Sequence, residues 1–465
     1  FGVSAAGAQW DGIQADGGDV SLDWDCKWFS AVKEHDDHWV AEFAIPFRSI
    51  RYQDGVDEWG INFSRFSLLQ NEKSAWAPVP RQFKSSTLAF TGTLQWDKPP
   101  PKLGTRFSII PFLSGQGSKD IDVGTTANSD VDSGLDAKVT LSTSLNLDLT
   151  INPDFSQVEV DQQRTNLDRF ELFFPEKRQF FLENSDLFAS LGSKNIRPFF
   201  SRRIGLATPV KGGARLSGKL GSNYRLGIMS MQTDANEEIP ASNFTVATLQ
   251  RKILTRSSLS IFLVNKESDL QDDVDSSKNL YNRVGGIDFN LASADNLWTG
   301  KTFFHQAIYK NAGGNAFATA TSIKYNTGTV SAHMGYSFVG PDFQADVGFV
   351  KRIGFHRFGS DLEYKYYPEK GNILNHGPAF KFFNVLDEGL NTTDRELELK
   401  YIINRVDRSK FSAELERGFV KLFEPFDPTN TGGDTLVSGS AYNWNEFSLD
   451  YESDARKTLN FTSNI

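Results

Sequence analysis

Apolar and polar residues alternate along most of the chain from residue 105 to residue 465. In each alternating segment, apolar side chains occupy every second position, and polar or charged side chains stand between them. The clearest segments are 214–220, 358–366, 396–403, 411–416 and 446–452. A period of two is typical of a β-strand whose two faces meet different surroundings. We count roughly sixteen to eighteen such segments, which predicts one large antiparallel β-sheet.

The two faces of this sheet need opposite surroundings. The apolar row requires either lipid or a second sheet, whereas the charged row requires water or ion pairing. Stacked sandwiches would need several domain breaks along 105–465, and we find no second proline-rich linker there. A closed barrel, apolar outside and polar inside, meets both needs and leaves no unpaired edge. The pattern therefore predicts an outer-membrane β-barrel, which is consistent with the mean hydropathy of −0.39.

The connections between the predicted strands alternate in length. The segments 232–242, 267–279 and 424–440 are long, polar and acidic, whereas 219–223 is a short turn. In outer-membrane barrels the long loops usually face the exterior and the short turns face the periplasm. We expect the same arrangement here.

One segment, 152–204, interrupts the alternation. It follows a strand pattern at 145–151, begins with the turn-forming Asn-Pro-Asp, and interleaves aromatic residues with charges of both signs. We predict a plug or rim segment of the barrel, fastened by a structural charge network. The proposed network consists of Asp154, Glu159, Asp161, Arg169, Glu171, Glu176, Arg178, Arg202 and Arg203. A pair of these carboxylates could instead hydrolyse glycosides, but their basic neighbours favour the network, and we predict no catalytic residue.

A proline-rich linker, 98–104, separates this region from a front domain at 1–97. Consecutive prolines stiffen a spacer and do not fit inside a sheet. Short alternating runs at 39–45 and 59–63 predict a β-sandwich in the front domain. The predicted fold is therefore all-β, a sandwich followed by a barrel.

Long motifs in both parts resemble known families. NPDFSQVEVD, FELFFPEKRQFFLE and FFSRRIG resemble a bacterial outer-membrane β-barrel family, domain of unknown function 5916. WVAEFAIPFRSIRY and EWGINFSRFSLLQNEKSAWAPVP resemble the later half of a family 9 carbohydrate-binding module, so we expect the sandwich to be incomplete at its N-terminus. The resemblance implies a Gram-negative, Bacteroidota-like cell envelope but no settled activity. Since the chain starts at Phe1 without a signal peptide, we expect a mature protein that extends past both ends.

In family 9 modules, aromatic side chains stack on sugar rings and polar groups bind the hydroxyls. Trp76 follows a polar turn and is our candidate sugar platform, with Arg65 and Glu72 as polar neighbours in the same hairpin. A surface ion pair is the alternative for Arg65 and Glu72. We expect Trp39 and Trp59, on strand faces, to belong to the core.

The composition limits which partners, disulfides and metal sites the chain can have. The net charge of −9 and the lack of a basic stripe argue against nucleic acid as a partner. A single cysteine excludes an internal disulfide framework, and six scattered histidines make a zinc site improbable. The acidic stretches 128–136 and 269–275 could bind Ca²⁺, although neither has EF-hand spacing and a solvated loop is the default interpretation. We predict no other cofactor.

Three functional hypotheses remain. The first is a barrel that recognises or passes a glycan or a related solute, with outer-membrane lipid around it. The second is a structural or assembly subunit whose sandwich binds other envelope proteins. The third, a glycoside-acting enzyme, is suggested by the module resemblance alone, because the residues offer no nucleophile or nucleotide motif.

Overall fold

The computed structural model describes all residues except 15–19, 23, 51, 102–105, 119–127, 154, 156–160, 162 and 270–279. The fold is all-β, as predicted, and its main element is a 17-stranded antiparallel sheet. The chain before this sheet forms the front domain. Part of the predicted linker lies outside the described residues.

The front domain consists of short antiparallel ladders of two strands each, β1·β2, β3·β4, β5·β6, β8·β9 and β7·β10. The strands are β1 (Gly2–Val3), β2 (Gln9–Trp10), β3 (Ile13–Gln14), β4 (Val20–Ser21), β5 (Phe29–Glu34), β6 (Trp39–Ala44), β7 (Glu58–Ile61), β8 (Ser64–Ser67), β9 (Glu72–Ala75) and β10 (Gly92–Gln95). Two 3₁₀-helices, Phe47–Ser49 and Leu88–Phe90, lie between strands. An incomplete carbohydrate-binding sandwich stays a prediction.

An aromatic cluster forms a small core at the end of the front domain. Trp59 packs against Tyr52 and Trp96 with ring centroids 5.2 and 5.4 Å away, as expected for a core residue. Trp39, which we expected in the core, is 37% exposed, because among the described residues β6 pairs with β5 alone and so lies at the edge of its ladder. Trp28 takes the buried position instead, at 7% exposure.

The large sheet joins strands that follow one another in the chain, each antiparallel to the next. They are β11 (Arg106–Ser118), β12 (Asn128–Ser142), β13 (Leu145–Ile151), β15 (Val210–Leu220), β16 (Tyr224–Thr233), β17 (Ser242–Ile253), β18 (Ser257–Ser268), β19 (Tyr281–Ala292), β20 (Trp298–Tyr309), β21 (Phe317–Asn326), β22 (Val330–Val339), β24 (Phe355–Tyr364), β25 (Ile373–Leu386), β26 (Thr392–Arg405), β27 (Lys410–Lys421), β28 (Ala441–Glu452) and β29 (Thr462–Asn464). Among the described residues, no backbone pairing joins β11 to β29.

The remaining elements lie inside the curve of the sheet. The segment 152–204, which we call the plug, contains helices α1 (Gln179–Leu182) and α2 (Asp186–Ala189), the short strand β14 (Ile196–Arg197) and a 3₁₀-helix, Ser201–Arg203. Strand β14 pairs with β23 (Phe349–Val350), which belongs to the 340–354 loop.

The two faces of the sheet differ as the alternation predicts. Ile261, Ile287 and Phe304 lie opposite one another on three neighbouring strands, and each remains 49–52% exposed on the outer face. Val264 and Val284, paired on two of the same strands, are 1% exposed on the inner face. At these strands the inner face is therefore covered, and the outer apolar face is not.

The connections lie at two ends of the sheet, and we call the end with mostly short connections the short-turn end and the other the long-loop end. The short-turn end comprises 143–144, 221–223, 254–256, 293–297, 327–329, 365–372, 406–409 and 453–461. The long-loop end comprises 152–209, 234–241, 310–316, 340–354, 387–391 and 422–440. The chain enters the sheet at Arg106, which pairs with Thr140 beside the first short turn, so the front domain connects to the short-turn end.

Candidate functional site

The barrel interior has two unlike halves. Along β16–β20 the inner face packs against the plug, and it combines apolar side chains such as Met231 and Val246 with buried polar ones such as Asp288 and His305. Along β24–β28, which we call the charged half, the inner face carries charges of both signs. Its charged residues are Arg357, Asp361, Glu363, Lys381, Asp394, Glu396, Glu398, Lys400, Lys410, Glu414, Glu416, Glu446, Asp450 and Glu452.

The filled half is a continuous hydrophobic core. It joins Phe181, Leu187 and Phe188 of the plug to inner-face residues such as Met231 and Val246, all 7% exposed or less. Each fully buried apolar side chain contributes about 1.5–3 kcal/mol, so the plug is held as part of the fold.

The charged half has charge rows that cross its strands. Lys381 faces Glu398 in register, Glu398 faces Glu416, and Glu416 faces Glu446. The Lys381 Nζ lies 2.6 Å from Glu396 Oε1 and 3.3 Å from Glu398 Oε2. Like charges placed directly opposite each other destabilise a sheet unless water or cations screen them. This half of the interior therefore suits water better than packed protein.

Most members of the predicted charge network pair with one another inside the plug. Glu176 pairs with Arg178, and Asp161 pairs with Arg202. The Arg203 Nη2 lies 2.6 Å from Glu171 Oε2. Arg169 instead reaches out of the plug, and Asp154 and Glu159 lie outside the described residues.

The tightest of these pairs is Glu176 with Arg178. Arg178 donates from Nε and Nη2 to the two carboxylate oxygens of Glu176, at 2.8 and 2.7 Å. It also donates to the carbonyl oxygens of Ser201 and Ile204, and its guanidinium lies 4.3 Å from the ring centre of Phe181. Burial opposes ionisation of Glu176, but the hydrogen bonds from Arg178 and Ser201 outweigh it and lower the pKa of Glu176. The pair acts as a structural clamp between two parts of the plug.

Sequence analysis missed the wall residues that anchor the plug. Asp394 on β26 accepts from Arg169 at 2.5 Å and from Arg352 at 2.6 Å. Arg225 on β16 donates to Asp186 of the plug at 2.6 Å. The alternation placed these wall residues on the polar face, but it could not say which of them would meet the plug.

Asp288 on β19 is the most deeply buried of these anchors, at 1% exposure. Its Oδ2 accepts from the Gly192 backbone N–H of the plug at 2.7 Å. Its Oδ1 lies 2.6 Å from His305 Nε2, and Lys301 Nζ lies 3.2 Å from Oδ2. Among the residues that the structure describes, the buried His305 Nδ1 has no hydrogen-bond partner. Asp288 thus ties the plug to two neighbouring strands of the wall.

The candidate sugar-binding residues share one face of the β8–β9 hairpin. Arg65 pairs with Ser74 in register, and the Trp76 N–H donates to the Phe63 carbonyl at 2.8 Å, which extends the ladder. Alternation therefore places Phe63, Arg65, Glu72 and Trp76 on the same side. Trp76 is 60% exposed, and its ring centroid lies 6.0 Å from that of Phe63. Within the described part of the chain, no ion pair joins Arg65 to Glu72.

The predicted Ca²⁺ sites lie partly outside the described residues, at 270–279. In the other stretch, Asp132 accepts from Asn152 at 2.5 Å and Asp136 accepts from Thr150 at 2.6 Å. Among the described residues, no group of three or more metal-binding side chains comes together. Calcium binding stays a prediction. In the same residues, no helix is long and apolar enough to cross a membrane.

A family model described as a domain of unknown function (DUF5916) matches residues 102–219, which run from the linker into β15. No curated protein matches the chain. Among solved structures, Pseudomonas aeruginosa OpdK with vanillate is similar at 11% identity, over 78% of this chain and 94% of that one, with a TM-score of 0.32. Acinetobacter baumannii OccAB3 is similar at 9% identity, over 78% and 93%, with a TM-score of 0.30. The fold assignment here rests on the strand register.

Proposed function

We propose that the protein is an outer-membrane β-barrel that passes small hydrophilic solutes through its charged half. The observation that carries the proposal is the contrast between the two halves of one inner wall. The plug fills the half along β16–β20 with apolar side chains, whereas the charged half keeps its ion pairs partly exposed, as with Lys381 at 45% and Glu396 at 22%.

The outer face supports a place in a lipid bilayer. Leu263, Ile287, Phe304, Leu399 and Leu415 are each 48–52% exposed there. A soluble monomer rarely exposes an apolar surface larger than a few hundred Å². Lipid outside and water inside would give each row of the alternation the surroundings it requires.

The charged half favours hydrophilic solutes. Its carboxylates and ammonium groups can replace the water that hydrates a sugar or an ion, and both signs are present along the same path. The row that runs from Lys381 through Glu398 and Glu416 to Glu446 has three carboxylates and one ammonium group. We therefore expect cations to pass more readily than anions.

A glycan is the solute class that the front domain favours. Trp76 offers an exposed ring, and Arg65 and Glu72 offer hydrogen-bonding groups on the same face. We propose that this face binds sugar rings by stacking and hydroxyls by hydrogen bonds. Binding of the full-length protein to a glycan array should be lost in Trp76→Ala and kept in Trp10→Ala, which removes a comparably exposed tryptophan elsewhere in the domain.

Conductance in planar lipid bilayers tests the passage. We expect conductance with a preference for cations, and Glu416→Gln should weaken that preference. Asp234→Asn is the matched control, because Asp234 pairs with Lys211 at the long-loop end, outside the charged half. If vesicles that hold the folded protein showed no conductance and no sugar-driven swelling, the proposal would be contradicted.

A further inference from the structure

We propose that the front domain is a releasable lid on the short-turn mouth of the barrel, held there by the tip of the β8–β9 hairpin. The lid would lie on the periplasmic side and regulate the passage proposed above, so this inference rests on that proposed function. The contacts that lead to it lie between residues far apart in the chain.

The hairpin tip is held first by the turn between β26 and β27. The Asn71 side chain donates to the Val406 carbonyl at 3.1 Å and accepts from the Arg408 guanidinium. The same guanidinium lies 4.8 Å from the ring centre of Phe66. Phe66 lies on the hairpin face opposite Trp76, so this face is turned toward the barrel.

The turn between β28 and β29 supplies a second hold. Arg456 donates from Nη1 to the carbonyl oxygens of Leu68 and Leu69, at 3.4 and 3.3 Å. It also donates to the Asp407 carbonyl at 3.3 Å, and Asp454 fixes its guanidinium with two contacts of 2.8 Å. One arginine thus joins the hairpin tip to two neighbouring turns.

Further contacts extend around the mouth. The Arg81 guanidinium lies 5.1 Å from the ring centre of Tyr367, in the turn between β24 and β25. Thr143, between β12 and β13, donates to Asp54 at 2.7 Å. All of these turns belong to the short-turn end, and those that follow β24, β26 and β28 lie beneath the charged half. The front domain therefore reaches across the mouth on the side of the proposed passage.

The chemistry of these contacts suits a lid that opens. The hairpin contacts are hydrogen bonds and cation–π contacts at partly exposed side chains, and interfaces of this kind between domains permit relative motion. The plug, by contrast, is held by a buried apolar core. Short turns face the periplasm in outer-membrane barrels, which assigns the lid to that side.

Bilayer conductance of the full chain tests the lid. Charged hydrogen bonds shift an equilibrium by about tenfold each. We therefore expect Arg408→Ala and Arg456→Ala each to raise the open fraction by about tenfold. Arg251→Ala is the matched control, since Arg251 lies at the same end and contacts Tyr224 of the neighbouring strand.

A cross-link that holds the lid closed should have the opposite effect on conductance. In a Cys26→Ser background, a short thiol-cleavable cross-linker between Asn71→Cys and Arg408→Cys should abolish conductance, and a reductant should restore it. Conductance that neither the arginine variants nor the cross-link alters would overturn the lid and leave the passage standing. Absence of conductance in every variant would overturn both proposals.

Thiol labelling tests the side of the membrane. Leu69 is 89% exposed, so Leu69→Cys in the Cys26→Ser background should react with a membrane-impermeant maleimide only after the outer membrane is permeabilised. Labelling in intact cells would overturn the periplasmic assignment.

Discussion

Replacing Asp288 by alanine should detach the plug locally from the barrel wall. The substitution removes the acceptor of the Gly192 N–H and the counter-charge of Lys301, and it leaves His305 with no polar partner on either ring nitrogen. Breaking a buried charged pair costs about 3–5 kcal/mol. Since the Asp288 side chain is only 1% exposed, water cannot replace the lost contacts without opening the interface.

Amide hydrogen exchange measures this effect at one position. The Gly192 N–H donates directly to Asp288, so its protection reports the local opening of the plug. A loss of about 3–5 kcal/mol should speed its exchange on the order of 10² to 10⁴-fold, provided that opening is local. Asp288→Asn keeps the shape and an acceptor oxygen but loses the charge, so its effect should be smaller.

Asp361→Ala is the control for this experiment. Asp361 also lies on the inner face, but its side chain is 54% exposed and forms its ion pair with His333 at 2.9 Å. Partly exposed pairs contribute about 0–1 kcal/mol, so exchange at Gly192 should not change. Unchanged Gly192 protection in a folded Asp288→Ala protein would refute the view that this carboxylate anchors the plug.

Three further substitutions test other parts of the molecule. Leu263→Arg, on the outer face, should lower the free energy of unfolding from lipid vesicles by about 2–4 kcal/mol. If that face met water instead, the variant would be no less stable and more soluble. Glu176→Gln should destabilise the plug above the ordinary carboxyl pKa of 4.5, and the deficit should vanish as acid titrates Glu176 itself, because its pKa is lowered in the folded state. Gly227→Ala places a methyl group 2.7 Å from the Phe188 ring, so it should cost about 1–3 kcal/mol in denaturant unfolding, and an unchanged midpoint would show that the ring is loosely packed.

The period-two pattern predicted the sheet and its two faces well, because strand alternation is a local property. Ile261 and Val264 on one strand ended on opposite faces, as their spacing requires. The same pattern breaks after Ile151, since an aromatic and charged segment without alternation cannot continue the wall.

The contacts between distant parts of the chain could not be predicted in the same way. Arg169 meets Asp394 across 225 positions, and Arg408 meets Asn71 across 337. Such contacts depend on how far the sheet curves and on which strands face the plug, and residue spacing carries no information about either. The same limit explains why the filled and charged halves of the interior could not be told apart from their sequences.

The two sides of the β8–β9 hairpin face different surroundings. One side carries Phe66 against the Arg408 turn, while the other presents Trp76 and Phe63 to solvent. A two-stranded ribbon is thin, so a sugar ring stacked on Trp76 and the barrel turn that contacts Phe66 would bind to the same stretch of backbone. The two binding equilibria are then linked. If bound sugar strengthens or weakens the contact between the hairpin and the barrel turn, that contact changes the sugar affinity by the same factor. Capture of a molecule and admission to the pore would thereby be one coupled equilibrium.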